Sequence, residues 1–463
     1  MMDMFLKRRL RRSDSNKIEI VFMDNKFLFG VATASHQNEG NNYLNNWWDW
    51  EIKHKLERSG KACNSFIEYR ADIDLVKGLG CNAYRFSIEW SRIYLDEYRI
   101  DKEALGVYKK MVAYCLKNNI EPIITLHHFT RPRWFDSNFG GLHSKMFIHH
   151  FSKYVETICQ EFGGDVRYWI TFNEPMLECV HGYLRGERPP GKKGDFENMY
   201  CAIENIIDSH CSAYAIIKKY NKKAMVSISK NMVDFEKQYH YDLIKSNIED
   251  QIIENYNWCI LDAFYKGILK FGIGMMGFGV NKIRKDSSWK GKLDFLGVNH
   301  YNVGYISVSY NVEEPVDVML TLKDSGYNKN AMKWDIKPES MRNVLDGLRA
   351  RYGKIKMMIT ESGSAEKKSR LEGNNCQKEI IDTHMRSVIE YQKKYHTILG
   401  YMYWSALDNF EWESGYSPKF GLYTMTYKKG KRICLLKDSG EHYKEAIQKA
   451  LFLSSRVKGL DPK

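Results

Sequence analysis

The sequence predicts an α/β fold, a (β/α)8 TIM barrel built as a single domain with loops inserted at the C-terminal face of its strands. Three observations predict it. Eight short apolar runs alternate with amphipathic stretches of helical period. Two of those runs lead directly into a glutamate, at the strand end where such barrels keep their chemistry. No Pro/Ser-rich linker, internal repeat or shift of composition divides the 463 residues.

In chain order the strand-like runs are Phe27–Ala34, Ala83–Glu89, Pro122–His127, Arg167–Phe172, Ala224–Ser229, Phe295–His300, Lys356–Thr360 and Gly400–Ser405. Most are near-continuous in apolar residues, as strands buried on both faces are. Phe66–Leu79, Lys102–Asn118, Lys145–Gly163 and Tyr200–Tyr220 carry the helical period between them. Pro338–Tyr352 reads as a helix with its proline in the first turn, where the missing N–H costs nothing. Gln377–Tyr395 then leads into the last strand. The barrel domain is set at 21–455, between a basic tail over 1–20 and a short tail over 456–463.

Composition narrows the function. At 43% hydrophobic residues the chain has ample material for a core. No apolar run approaches the roughly 20 residues that a membrane helix needs. The basic start (Lys7, Arg8, Arg9, Arg11, Arg12) is followed by no apolar stretch of signal-peptide length, so the expected location is cytoplasmic. Ten dispersed cysteines with no C-x-x-C pair point away from a disulfide framework or a zinc site. The net charge of +13 is spread over the chain among 57 acids, with no nucleic-acid motif, which reads as a basic surface. Gly272, Gly274 and Gly277 form a G-x-G-x-x-G pattern, but a helix-like stretch (Ile252–Leu269) precedes it. A dinucleotide site needs a strand there, so the pattern reads as a flexible loop.

The chemistry lies in Thr171-Phe172-Asn173-Glu174-Pro175 and Ile359-Thr360-Glu361-Ser362-Gly363. Carboxylates on two strand ends can converge across one cleft. Glycoside hydrolysis needs such a pair: one group protonates the leaving oxygen and the other attacks or activates water. Sequence alone leaves the two geometries of that reaction open, because it gives no separation between the carboxyls. An isolated strand-end glutamate is as often a structural ion pair; two in matched segments are much less so.

These segments resemble the paired signatures of glycoside hydrolase family 1, the retaining β-glycosidases, and the likeness runs from about Phe27 to Tyr423 in the family's order. The resemblance implies Glu174 as acid/base and Glu361 as nucleophile. It also implies Arg85, in Tyr84-Arg85-Phe86-Ser87, and Tyr301 as the groups that keep Glu361 ionised. Glu174, beside that negative charge, is expected to have a raised pKa. Gln37 and Glu411 match the family's sugar-binding pair, with His128, Asn173 and Asn299 as further substrate-binding residues. Trp404 is the implied stacking platform and Trp412 the side wall, while Trp47, Trp48 and Trp50 pack or line the entrance. No metal or organic cofactor is implied. The implied partner is a small-molecule or oligosaccharide β-glycoside, and a homo-oligomer stays open.

Four departures bear on sugar preference rather than reaction type. Ser362 stands where the family usually has Asn, and His300 replaces an aromatic. His128-Phe129-Thr130 replaces His-Trp-Asp, and Leu142 follows Gly140-Gly141 where Trp is common. The Phe-Thr variant and Trp47-Trp48 look similar to archaeal members acting on β-glucosides, β-galactosides or β-mannosides. Glu174 speaks against a thioglucosidase, which carries Gln there. The negative charge expected on Glu411 speaks against a phosphorylated sugar. The rival reading is a catalytically silent barrel that binds carbohydrate, and the full set of catalytic residues argues against it.

Overall fold

The computed structural model describes residues 27–275, 278–308, 316–319, 325–367 and 375–455. Eight strands form its centre: β1 Leu28–Ala32, β2 Ala83–Ser87, β3 Glu121–His127, β4 Tyr168–Asn173, β5 Met225–Asn231, β6 Leu296–Asn299, β7 Met357–Ser362 and β8 Ile398–Trp404. Neighbours in sequence pair in parallel, and β8 closes onto β1 from Leu28–Gly400 to Ala32–Trp404. Each run expected as a strand is one, with ends moved by one or two residues. The tails set at 1–20 and 456–463 lie outside the described residues.

Side chains alternate across a strand, and here both faces are covered. Phe29, Val31, Tyr84, Phe86, Ile124, Leu126, Val298 and Tyr401 pack outward against the helices. Leu28, Ala83, Ile123, Tyr168, Met358 and Met402 fill the barrel interior. That double burial is why the runs look continuous in sequence. Moving up the interior, Ala83 gives way to Arg85 and Ile123 to Thr125, so an apolar floor supports a polar mouth.

The expected helices occur at Ser65–Gly78, Lys102–Lys117, Met146–Phe162 and Phe196–Tyr220. Among the described residues no helix is long and apolar enough to cross a membrane. Two details differ from expectation. The helix expected from Pro338 begins at Ser340, so the proline precedes the first turn instead of opening it. The glycine pattern is a β-hairpin, Ile268–Met275 paired with Phe278–Lys285, not a flexible loop. Gly272 and Gly274 lie on its first strand and Gly277 lies outside the described residues. Pairing of Gly272 with Asn281 and of Gly274 with Gly279 supplies the order that glycine's own preferences deny it.

Candidate active site

The interior strands deliver their polar side chains to one mouth, and the catalytic-type carboxyls stand where the ladders are irregular. On β7 the register shifts between Ile359 and Glu361 toward β6, and between Ile359 and Ser362 toward β8. On β4 it shifts between Ile170 and Asn173. Such irregularities re-aim side chains at a strand end. Past β7 the chain runs so close to β8 that a Cβ on Gly363 would stand 1.9 Å from the Trp404 carbonyl oxygen. Only glycine fits there.

Glu361 is gripped on both oxygens. Arg85 Nη1 meets Oε1 at 2.6 Å, and Tyr301 Oη donates to Oε2 at 2.5 Å. Arg85 is itself fixed by its other donors: Nε to Thr125 Oγ1 at 3.0 Å and Nη2 to Asn173 Oδ1 at 2.7 Å. A guanidinium with its fork satisfied has one orientation, so the cation is aimed at the carboxylate.

Glu174 sits in the left-handed region, φ 45 and ψ 52, just before the helix Pro175–Cys179. A non-glycine residue rarely adopts that conformation, and where it does the surroundings hold it there. Here the hold is visible: Glu174 N donates to Ser229 O at 2.7 Å, and Glu178 on that short helix is bound by His127 at 2.8 Å and by Arg131. Asn299 Nδ2 then donates to Glu174 Oε1 at 2.7 Å and to Asn173 Oδ1 at 3.0 Å.

Around this pair lie the groups expected to meet a sugar. Gln37 Nε2 donates to Glu411 Oε2 at 3.1 Å and to the Phe410 carbonyl at 2.9 Å. Asn173 Nδ2 donates to His128 Nε2 at 3.2 Å. The His128 ring lies nearly parallel to both Trp404 and Trp412, with centroids at 5.8 and 6.2 Å. Trp412 is backed by Trp47 at 4.6 Å and edged by Phe129 at 5.3 Å. Trp47 is thus a buried support, and Trp50 stacks on His54. Hydrogen bonds and ring contacts join nine of the eleven residues singled out from the sequence, and the remaining pair, Gln37 and Glu411, reaches them through the charge interaction of Glu411 with Glu361.

The sequence matches glycosyl hydrolase family 1 over residues 21–452. The chain belongs to that family. This family 1 glycosyl hydrolase is 29% identical to the 1,4-beta-D-glucan glucohydrolase of Thermotoga neapolitana over 443 residues, which span 91% of this chain and 97% of that protein. Beta-glucosidase 4 of Oryza sativa subsp. japonica is 30% identical over 449 residues, 87% of this chain and 90% of the rice protein. Among solved structures, the beta-glycosidase from Pyrococcus horikoshii aligns with a TM-score of 0.81 at 33% identity, covering 94% of this chain and 95% of that one. The chain is an O-glycosyl hydrolase.

The charges of this glycosyl hydrolase differ from expectation in cause more than in direction. Glu174 is raised to about 7, but burial is the first cause and the Glu361 charge the second. Glu361 was expected to be held ionised by Arg85 and Tyr301; burial raises its pKa on balance, and Arg85, Tyr301 and Asn299 oppose that rise. Both carboxyls are desolvated, and what separates them is that Arg85 and Tyr301 touch only Glu361. Glu411 is raised to about 8, chiefly by burial, so near neutral pH it is mostly uncharged. The charge of Glu411 at neutral pH is therefore smaller than the argument against a phosphorylated sugar assumed.

Sequence reasoning missed Arg188, Asn231 and Lys230. Arg188 Nε meets Glu413 Oε1 at 2.5 Å, its guanidinium lies 5.6 Å from the Phe129 ring, and its charge lowers the Glu411 pKa. Asn231 and Lys230, at the end of β5, both act on Glu174 to lower its pKa. A lysine and an asparagine closing an otherwise buried run were the available signal.

Proposed function

We propose that this enzyme hydrolyses terminal, non-reducing β-D-glycosidic bonds of glucosides, galactosides or mannosides with retention, through a covalent bond to Glu361. The observation that carries the reading is the unequal treatment of two buried carboxyls at one mouth. Glu361 has a guanidinium and a phenol on its two oxygens, which favours the ionised nucleophile. Glu174 is raised to about 7, which favours a proton donor. Asn299 hydrogen-bonds Glu174, and its amide also lowers the Glu361 pKa. One amide influencing both carboxyls, and the Glu361 charge acting on Glu174, are in keeping with the separation of roughly 5 Å used for retention rather than the 6.5–9.5 Å that admits a water.

In this reading a Glu361 oxygen attacks the anomeric carbon while the bond to the aglycone oxygen breaks and that oxygen takes the Glu174 proton. The ester neutralises Glu361, so the charge that raised Glu174 is gone and its pKa falls. Glu174 then removes a proton from water, the water oxygen bonds to the anomeric carbon, and Glu361 leaves. Gln37, Glu411, His128 and Asn173 take the sugar hydroxyls, with Trp404 as floor and Trp412 as wall. The activities for which the relatives are named favour a glucoside as the first substrate to try. The catalytic domain in this reading is 21–455.

The experiment is a panel of aryl β-D-glucoside, galactoside, mannoside, fucoside and 6-phospho-glucoside, run on wild type, Glu361→Ala and Glu174→Ala. Turnover lost in Glu361→Ala and partly restored by azide, with an inverted glycosyl azide as product, supports retention. A wild type that cleaves none of the panel overturns the reading.

A further inference from the structure

Two of the family departures in the sequence, Ser362 and His300, meet through a third residue. Ser362 directly follows Glu361, and His300 directly precedes Tyr301. Between them runs an unbroken buried chain of hydrogen bonds. Ser362 Oγ lies 2.9 Å from His384 Nδ1, and His384 Nε2 lies 3.2 Å from Ser340 Oγ. Ser340 Oγ lies 2.9 Å from His300 Nε2, and His300 Nδ1 lies 2.8 Å from the Met232 carbonyl oxygen. All four side chains are fully buried.

The polarity of the chain follows from its last link. A carbonyl oxygen only accepts, so His300 carries its proton on Nδ1 and accepts on Nε2. Ser340 must then donate to His300 and accept from His384 Nε2. His384 Nδ1 accepts in turn, from the Ser362 hydroxyl. Burial lowers the pKa of both imidazoles, so each has one proton and every donor in the chain has an acceptor. The supports are distinct elements: Ser340 opens the helix Ser340–Tyr352 and His384 lies on the π-helical turn Ile381–Met385. A π-turn shifts a side chain's direction within an otherwise α-helical run.

We propose that His384 is a positioning residue: through Ser362 and Ser340 it ties the strand end carrying Glu361 to the one carrying Tyr301, and thereby fixes the Tyr301–Glu361 hydrogen bond. These ends are also joined directly, by His300 N to Glu361 O at 3.0 Å beside a register shift and by Thr360 Oγ1 to Asn299 Oδ1 at 2.7 Å. The relay adds a tie through Ser362 and His300, the neighbours in sequence of the two catalytic-type side chains. The kinetic role rests on reading Glu361 as the nucleophile; the hydrogen-bond polarity does not.

The test has two arms. The first is 15N NMR of the full chain labelled at histidine, with peaks assigned by His300→Gln and His384→Gln. The expected result is opposite tautomers, protonated Nδ1 on His300 and protonated Nε2 on His384; any other pair overturns the relay. The second arm compares His384→Gln, which keeps one donor and one acceptor, with His384→Leu, which keeps neither. Ser340→Ala breaks the middle link alone, in case the leucine variant does not fold.

Glu361 is faced by Arg85 from β2, Tyr301 beyond β6, Glu174 beyond β4 and Glu411 beyond β8. Of these, Tyr301 is the one the relay holds, and its bond lowers the Glu361 pKa. Loosening it moves the acidic limb of kcat/KM to higher pH. The expected result for His384→Leu and Ser340→Ala is that shift with about a tenfold loss of kcat and little change in KM, while His384→Gln stays near wild type. A lower Tm with kcat and the acidic limb unchanged would make the chain structural only and overturn the proposal. Equal behaviour of Gln and Leu would do the same. A wild type without turnover sinks the functional reading alone, since the tautomers still decide the relay.

Discussion

Tyr301 Oη donates to Glu361 Oε2 at 2.5 Å while Arg85 holds the other oxygen at 2.6 Å, so the two oxygens of one carboxyl have different keepers. The phenol's own pKa is pushed far up by burial and by the carboxylates around it. It therefore stays protonated, and stays a donor, across the working range of pH. Arg85 supplies charge and Tyr301 supplies direction.

Tyr301→Phe removes the direction and leaves the charge. A hydrogen bond to a charged group contributes about 1.5–3 kcal/mol, so kcat should fall roughly 10- to 100-fold. The acidic limb of kcat/KM should also move to higher pH, because a donor that lowered the Glu361 pKa is gone. Steady-state kinetics across pH check both; a limb that does not move would show that Tyr301 has no hold on Glu361.

In the proposed reading the basic limb belongs to Glu174. With its pKa at about 7, the free enzyme loses the proton-donating form above about pH 7, and kcat/KM should decline there. In Glu174→Ala, assayed on an aryl glycoside with a good leaving group, that limb should vanish while the acidic limb remains. A basic limb that survives the substitution would assign it to another group.

Glu174 also costs stability, and the sign can be worked out. Its folded pKa of about 7 lies above the ordinary 4.5, so between those values the native state keeps a proton that the unfolded chain has released. Stability therefore falls as pH rises through that window, by about 3.5 kcal/mol at most at roughly 1.4 kcal/mol per pH unit. Glu174→Gln should be inactive in acid catalysis yet more stable than wild type at about pH 8, with the gain absent near pH 4. Melting curves at the two pH values check this. A gain of equal size at both would point to packing rather than titration.

Gly363→Ala should be disruptive out of proportion to one methyl group. The added carbon would meet a backbone oxygen of Trp404 at 1.9 Å, and neither strand end can yield without moving Glu361 or Trp404. Overpacking of this kind costs about 1–3 kcal/mol, and activity should fall further than stability does. Near-wild-type kcat in a folded Gly363→Ala variant would mean the strand end is freer than its contacts suggest.

How much of this was legible in the sequence depended on the range of the signal. The barrel strands are local signals, since double burial makes each a short apolar run, and all eight were readable. Glu174 and Glu361 stood out because each closes such a run within a recognisable segment. Arg188 was not readable: it lies in a loop, and its partner Glu413 is 225 positions away. Ser340 and His384 were ordinary polar residues at helix positions until the fold set them between Ser362 and His300. Ser362 and His300 themselves were visible only as departures bearing on sugar preference, with no sign of the bond chain between them. The hairpin at Ile268–Lys285 was misread because strand pairing, not glycine content, decides its conformation. The shifted start of the helix at Ser340 reflects the constraint a proline places on its own neighbourhood.

The most direct measurement of the central claim is mass spectrometry of the enzyme after incubation with an activated 2-deoxy-2-fluoro-β-D-glucoside, which slows the second step and traps the first. The account predicts one fluoroglucosyl group per chain, located by peptide mapping on Glu361. Turnover of β-glucosides by the same preparation with no trapped adduct, or an adduct on another residue, would contradict it.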